Sequence, residues 1–138
     1  MQGSPNTEPD NQYQARFGAT SMDADDAVPK CVLTTVKPGD GTRYPTVGAS
    51  LRVHYEGFLE NGDKFDSSRE RGRPFEFKLG AGQVIPGLDN NIPAMSVGQI
   101  AKIVIPPTLA YGVRGYPPIV PPNEILTFEL ELISFHAG

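Results

Sequence analysis

The sequence predicts an α+β domain: a strongly curved antiparallel sheet of five or six strands wrapped around one short helix. Three observations point there. Apolar residues recur mostly at every second position, the period of a half-buried strand. One stretch, Pro86 to Ile92, has helical spacing. The 138 residues include 14 prolines and 15 glycines, spread without a repeat, as in a turn-rich β fold. A chain of this length has room for one core, so one domain is expected.

Residues 1–28 are rich in Asn, Gln, Ser, Thr, Asp and Pro, and Tyr13 and Phe17 have no periodic partners. Such a segment buries too little surface to offset its ordering entropy, so a flexible acidic tail is expected there and a folded domain over 29–138. Val32 to Val36 is a β-branched run that ends at the turn cluster Pro38-Gly39-Asp40-Gly41. Leu51, Val53 and Tyr55 alternate with Arg52, His54 and Glu56, which puts His54 on the polar, exposed phase. Asn61-Gly62 marks a hairpin turn. Phe75, Phe77 and Leu79 form the next strand, Ala101, Ile103 and Ile105 another, and Leu126, Phe128, Leu130 and Leu132 the last. In the helix, Pro86 suits a first position, Leu88 and Ile92 share a face, and Pro93 is expected to end it. The connection from Pro106 to Pro122 holds six prolines with Tyr111, Tyr116 and Ile119. A loop of that length in a small domain points to function.

Composition removes several function classes. With 16 acidic and 12 basic side chains the net charge is −4, the wrong sign for a nucleic-acid face. No apolar run approaches the roughly 18 residues that span a bilayer, and residues 1–28 hold no apolar leader core. The lone Cys31 cannot form an internal disulfide, which favours a reducing, cytoplasmic setting. The two histidines, His54 and His136, have no metal-ligand cluster near them, so no metal is expected. Gly80-Ala81-Gly82 lacks the third glycine of a dinucleotide fingerprint. No GxSxG or other nucleophile–base pairing occurs. Arg69, Arg71 and Arg73, broken by Glu70, read as a solvated basic run. An enzyme built this way works without metal, cofactor or conventional nucleophile, and rotation about a prolyl amide is one reaction that permits this.

Val53 to Leu88 (VHYEGFLENGDKFDSSRERGRPFEFKLGAGQVIPGL) and Ala110 to Ile133 (AYGVRGYPPIVPPNEILTFELELI) resemble the FKBP-type peptidyl-prolyl isomerases, which bind tacrolimus and rapamycin. FDSS, a Pro-Phe pair, LGxGxVIxG, MSVGQ, AYG and the PPN segment occur in this order and spacing, from about Lys30 to Phe135. The resemblance implies a curved sheet around one helix, with an apolar pocket between them. By motif, the pocket would be lined by Tyr55, Phe65, Asp66, Arg71, Phe75, Val84, Ile85, Leu88, Tyr111, Tyr116, Ile119 and Phe128. Phe77, Leu126 and Leu130 read as core. The implied partners are proline-containing peptides and macrolide ligands, met by a monomer that binds neither nucleic acid nor membrane. Tyr55, Phe75, Ile85, Leu88 and Phe128 would hold the proline ring. The Tyr111 hydroxyl would donate to a substrate carbonyl. Asp66, engaged by Tyr55 and Arg71, would face the rotating carbonyl carbon. Leu88 stands where the family commonly has Trp, Tyr116 where many members have His, and Pro118 where many have Gly. The rival reading is a catalytically weak docking module of the same fold.

Overall fold

The computed structural model describes residues 30–137. The tail expected over 1–28 lies outside the described residues. The chain forms β1 (Val32–Lys37), β2 (Ser50–Phe58), β3 (Lys64–Ser67), β4 (Phe75–Lys78), α1 (Pro86–Asn91), β5 (Ile100–Ile105) and β6 (Leu126–His136). Short 3-10 turns occupy Ile92–Ala94 and Pro107–Leu109. The strands make one antiparallel sheet in the order β1-β5-β6-β2-β3, with β4 also paired to β2. This is the expected α+β class with six strands.

The alternation seen in the sequence selects the core. Leu51 and Val53 of β2, Ala101, Ile103 and Ile105 of β5, and Leu126, Phe128, Leu130 and Leu132 of β6 are buried. From α1 and the turn after it, Leu88, Ile92 and Met95 close the same cluster. β2 and β6 are joined over nearly their whole lengths, from Ser50↔His136 to Phe58↔Thr127. Ile133 is the extra residue of a bulge there, because Arg52 pairs with Ser134 and Val53 with Leu132. Such bulges raise the local twist.

One local expectation holds and one changes. α1 ends at Asn91, before Pro93, as expected, and gives way at Ile92 to a 3-10 turn with proline in its opening positions. An opening position needs no backbone N–H, so proline starts a new turn there more readily than it extends an old one. His54 is half-buried rather than exposed, with its Nδ1 2.9 Å from the Ser68 hydroxyl. Just after β3, Ser68 reaches His54 and Arg69 reaches Glu131 of β6.

Candidate active site

The site is built where β2 changes neighbours. β4 pairs with Ser50–Val53 and β3 with Glu56–Phe58, so the inward side chains of β2 pass from core to cavity along one strand. In β3 the register runs Gly57↔Asp66 and then Phe58↔Lys64, leaving Phe65 as the extra residue of a bulge. A regular strand would turn Phe65 and Asp66 to opposite faces. The bulge re-aims them, and both line one cavity of about 210 Å³.

Aromatic rings wall that cavity. Tyr55 meets Phe75 edge-on at 5.7 Å between centroids, and Phe65 meets Phe128 edge-on at 5.7 Å. Phe75 stacks on Phe77 at 5.5 Å. The tight spot is Gly57, where a Cβ would come within 2.7 Å of the Phe65 ring and 3.0 Å of Phe128. Glycine is therefore required there for close approach. A glycine inside a strand pattern is the signal by which sequence reasoning could have found it. Val84, Ile85 and Leu88 form the helical side. Their segment is tied down by Asp89, whose carboxylate accepts the N–H groups of Gly80 at 2.9 Å and Gly82 at 3.2 Å.

The polar part of the cavity is concentrated at Asp66. Its Oδ2 accepts the Tyr55 hydroxyl at 2.7 Å, and its Oδ1 accepts the Ser67 N–H at 2.9 Å. Arg71 pairs with Asp66 Oδ1 through Nη1, and its Nη2 donates to the Tyr55 hydroxyl at 2.9 Å. Three groups thus fix the carboxylate in one orientation. Hydrogen bonds to Tyr55 and Asp66 raise the Arg71 guanidinium further, so it stays charged. Burial pushes the Tyr55 hydroxyl up. Burial, then the Asp66 charge, then Tyr116 push up the Tyr111 hydroxyl. Both phenols therefore remain protonated donors around neutral pH.

Nine of the twelve residues assigned by motif line this cavity: Tyr55, Phe65, Asp66, Phe75, Val84, Ile85, Leu88, Tyr111 and Phe128. The other three stand apart from its wall. Arg71 is exposed and reaches the site through Asp66 and Tyr55. Tyr116, 55% exposed, stacks on Tyr111 at 5.5 Å and supports it from outside. Ile119 is 46% exposed. The cavity also takes in Val53, Phe77, Gln83, Ile92 and Leu130. Phe77 and Leu130, read from sequence as core, are both buried and lining, because the cavity is an opening of the core itself. Among the described residues, no group of three His, Cys, Asp or Glu could hold a metal ion.

Known proteins with this sequence pattern are numerous. The family model of the FKBP-type peptidyl-prolyl cis-trans isomerases matches residues 41–133. The chain is 51% identical over 102 residues to peptidyl-prolyl cis-trans isomerase Fkbp12 of Drosophila melanogaster, covering 74% of this chain and 94% of that one. It is 51% identical over 102 residues to FK506-binding protein 1 of Saccharomyces cerevisiae, covering 74% and 90%. With FK506-binding protein 1 of Dictyostelium discoideum the identity is 52% over 103 residues, covering 75% and 95%. An aromatic cavity with one oriented carboxylate, on a six-stranded sheet and a short helix, thus sits inside the matched region, and the chain belongs to the FKBP-type peptidyl-prolyl cis-trans isomerase family.

Proposed function

We propose that this isomerase turns its X-Pro substrates in the Asp66 cavity, holding the proline ring among the aromatic walls and favouring the twisted amide over the planar one. Amide resonance sets the barrier to rotation at about 18–20 kcal/mol. Twisting breaks that resonance, pyramidalises the nitrogen and reduces charge separation across the amide. A dry apolar wall therefore suits the twisted state better than water does, which is differential binding of a transition state. An acceleration of roughly 10⁴ to 10⁶ requires only about 5–8 kcal/mol. No proton transfer or covalent intermediate enters.

Tyr55, Phe75, Ile85, Leu88 and Phe128 bound the ring. The Tyr111 hydroxyl, kept protonated, donates to a substrate carbonyl beyond the proline. Asp66 presents a fixed carboxylate to the carbonyl carbon as it rotates past. The observation that carries this reading is the orientation of Asp66 by Tyr55, Ser67 and Arg71 at the edge of an aromatic cavity. The names of the yeast and Dictyostelium relatives, FK506-binding protein 1, support macrolide binding in the same cavity. A cytoplasmic monomer completes the proposal: one chain supplies every wall of the cavity, and the lone Cys31 suits a reducing compartment.

The test is isomerisation of a peptide with an apolar residue before proline. Asp66→Val is expected to lower kcat/KM about tenfold or more, a loss of at least about 1.4 kcal/mol of transition-state stabilisation. The fold should persist, because Asp66 lies at the cavity edge rather than in the core. Turnover equal to the parent's would remove Asp66 from the mechanism.

A further inference from the structure

Between its pairings with β4 and β3, the β2 edge has a gap. Among the described strands, neither β3 nor β4 pairs there with His54 or Tyr55. Ser68, the residue after β3, fills the gap. Its N–H donates to the Tyr55 carbonyl at 3.0 Å, and its hydroxyl accepts the Tyr55 N–H at 2.8 Å. The side chain thus stands in for the carbonyl that a continuous strand would have supplied. The same hydroxyl lies 2.9 Å from His54 Nδ1 and 3.3 Å from the Tyr55 carbonyl oxygen, so its own proton also has an acceptor. Ser68 is 1% exposed, and no water can take over these bonds without displacing it.

From that same backbone the Tyr55 side chain crosses to the cavity and donates to Asp66. The segment 66–71 therefore grips Tyr55 three times: through the Asp66 carboxylate, the Ser68 amide and hydroxyl, and the Arg71 guanidinium. We propose that Ser68 is a positioning residue for the reaction: its hydroxyl fixes the Tyr55 backbone, and with it the direction of the Tyr55 hydroxyl that orients Asp66. Ser68 touches no substrate. The proposal rests on the reading of Asp66 given above. It assigns Ser68 a part distinct from that of Ser67, whose N–H binds the carboxylate directly.

The experiment is a double-mutant cycle on peptide isomerisation, with Ser68→Ala made in the parent and in Tyr55→Phe, and Asp66→Val measured beside them. In the parent, Ser68→Ala is expected to lower kcat/KM about five- to tenfold, the size of one buried hydrogen bond. In Tyr55→Phe the same change is expected to cost less than about twofold, because the hydroxyl through which Ser68 acts is gone. An equal loss in both backgrounds would mark a merely structural role and overturn the proposal, as would no loss in the parent. If Asp66→Val is slow and the cycle is additive, Ser68 alone is misassigned. If Asp66→Val is as fast as the parent, the Asp66 reading and the proposal fall together. Should Ser68→Ala fail to fold, Ser68→Cys replaces it in the cycle with the same outcomes, since a thiol fills the space but accepts hydrogen bonds poorly.

Discussion

Leu88, which by the resemblance read from the sequence stands in place of a Trp, lines the cavity while being almost wholly buried. Replacing an indole by an isobutyl group there removes aromatic area and an N–H donor. A ligand that fills the cavity should feel this by about 1–3 kcal/mol, the usual scale for burying one large side chain. A substrate proline is smaller, and the walls and Asp66 remain for it. Leu88→Trp is therefore expected to tighten macrolide binding about 5- to 150-fold while changing kcat/KM much less, as calorimetry and the peptide assay would show. Overpacking could cost about 1–3 kcal/mol of stability, so a melting curve belongs beside them. A folded Leu88→Trp protein with unchanged macrolide affinity would mean that Leu88 does not meet the ligand. At this scale the motif carried Asp66 and Arg71, which pair in the structure, with Asp66 in the cavity wall and Arg71 outside it. The sequence marked Gly57 only as a glycine inside a strand pattern and was silent on Ser68, because the importance of both lies in what stands next to them in space.

Among elements, the contact between α1 and β5 sets the helical side of the site. Gly87 faces Ile105, and a Cβ there would lie 2.5 Å from Cγ2 and 2.9 Å from Cδ1 of a side chain that is fully buried. Glycine lets the helix approach the sheet this closely. Gly87→Ala improves helix propensity by about 1 kcal/mol. It also forces a buried contact apart, at about 1–3 kcal/mol. The clash should win, because Ile105 is fully buried and three of its side-chain atoms lie within 2.9 Å of the added Cβ. Chemical denaturation is expected to show a net loss of about 1 kcal/mol or more, with kcat/KM reduced as Ile85 and Leu88 shift outward. A more stable Gly87→Ala protein would mean that the helix can lift without cost. The helix and strands β2, β4, β5 and β6 were legible from their periods and β1 from its β-branched run, whereas β3 was implied only by the Asn61-Gly62 turn before it. The second turn after α1 was not legible, because proline is compatible both with ending one turn and with starting the next.

For the molecule as a whole, among the described residues every buried core side chain lies between Ala49 and Leu132, and every cavity-lining residue between Val53 and Leu130. Stability and catalysis are therefore expected to survive removal of residues 1–28. A truncated protein should melt within about 4 °C of the full chain, a shift that corresponds to about 1 kcal/mol or less, and should keep its kcat/KM. A larger drop in melting temperature would show that those residues pack on the domain.

By itself the sequence determined the class of fold, because alternation of apolar side chains is a local property that each strand carries within itself. It also determined the family and the residue types of the site, because those motifs are contiguous. Tertiary structure alone decided which neighbours these residues have. The bulge that turns Phe65 and Asp66 to one cavity exists only in the register between β2 and β3. The gap that Ser68 fills exists only because β3 and β4 share the edge of one strand. The stack of Tyr116 on Tyr111 outside the wall is likewise set by how the loop lies. A pairing register is a relation between distant segments, fixed by the packing of the whole core, and no single stretch of sequence contains it.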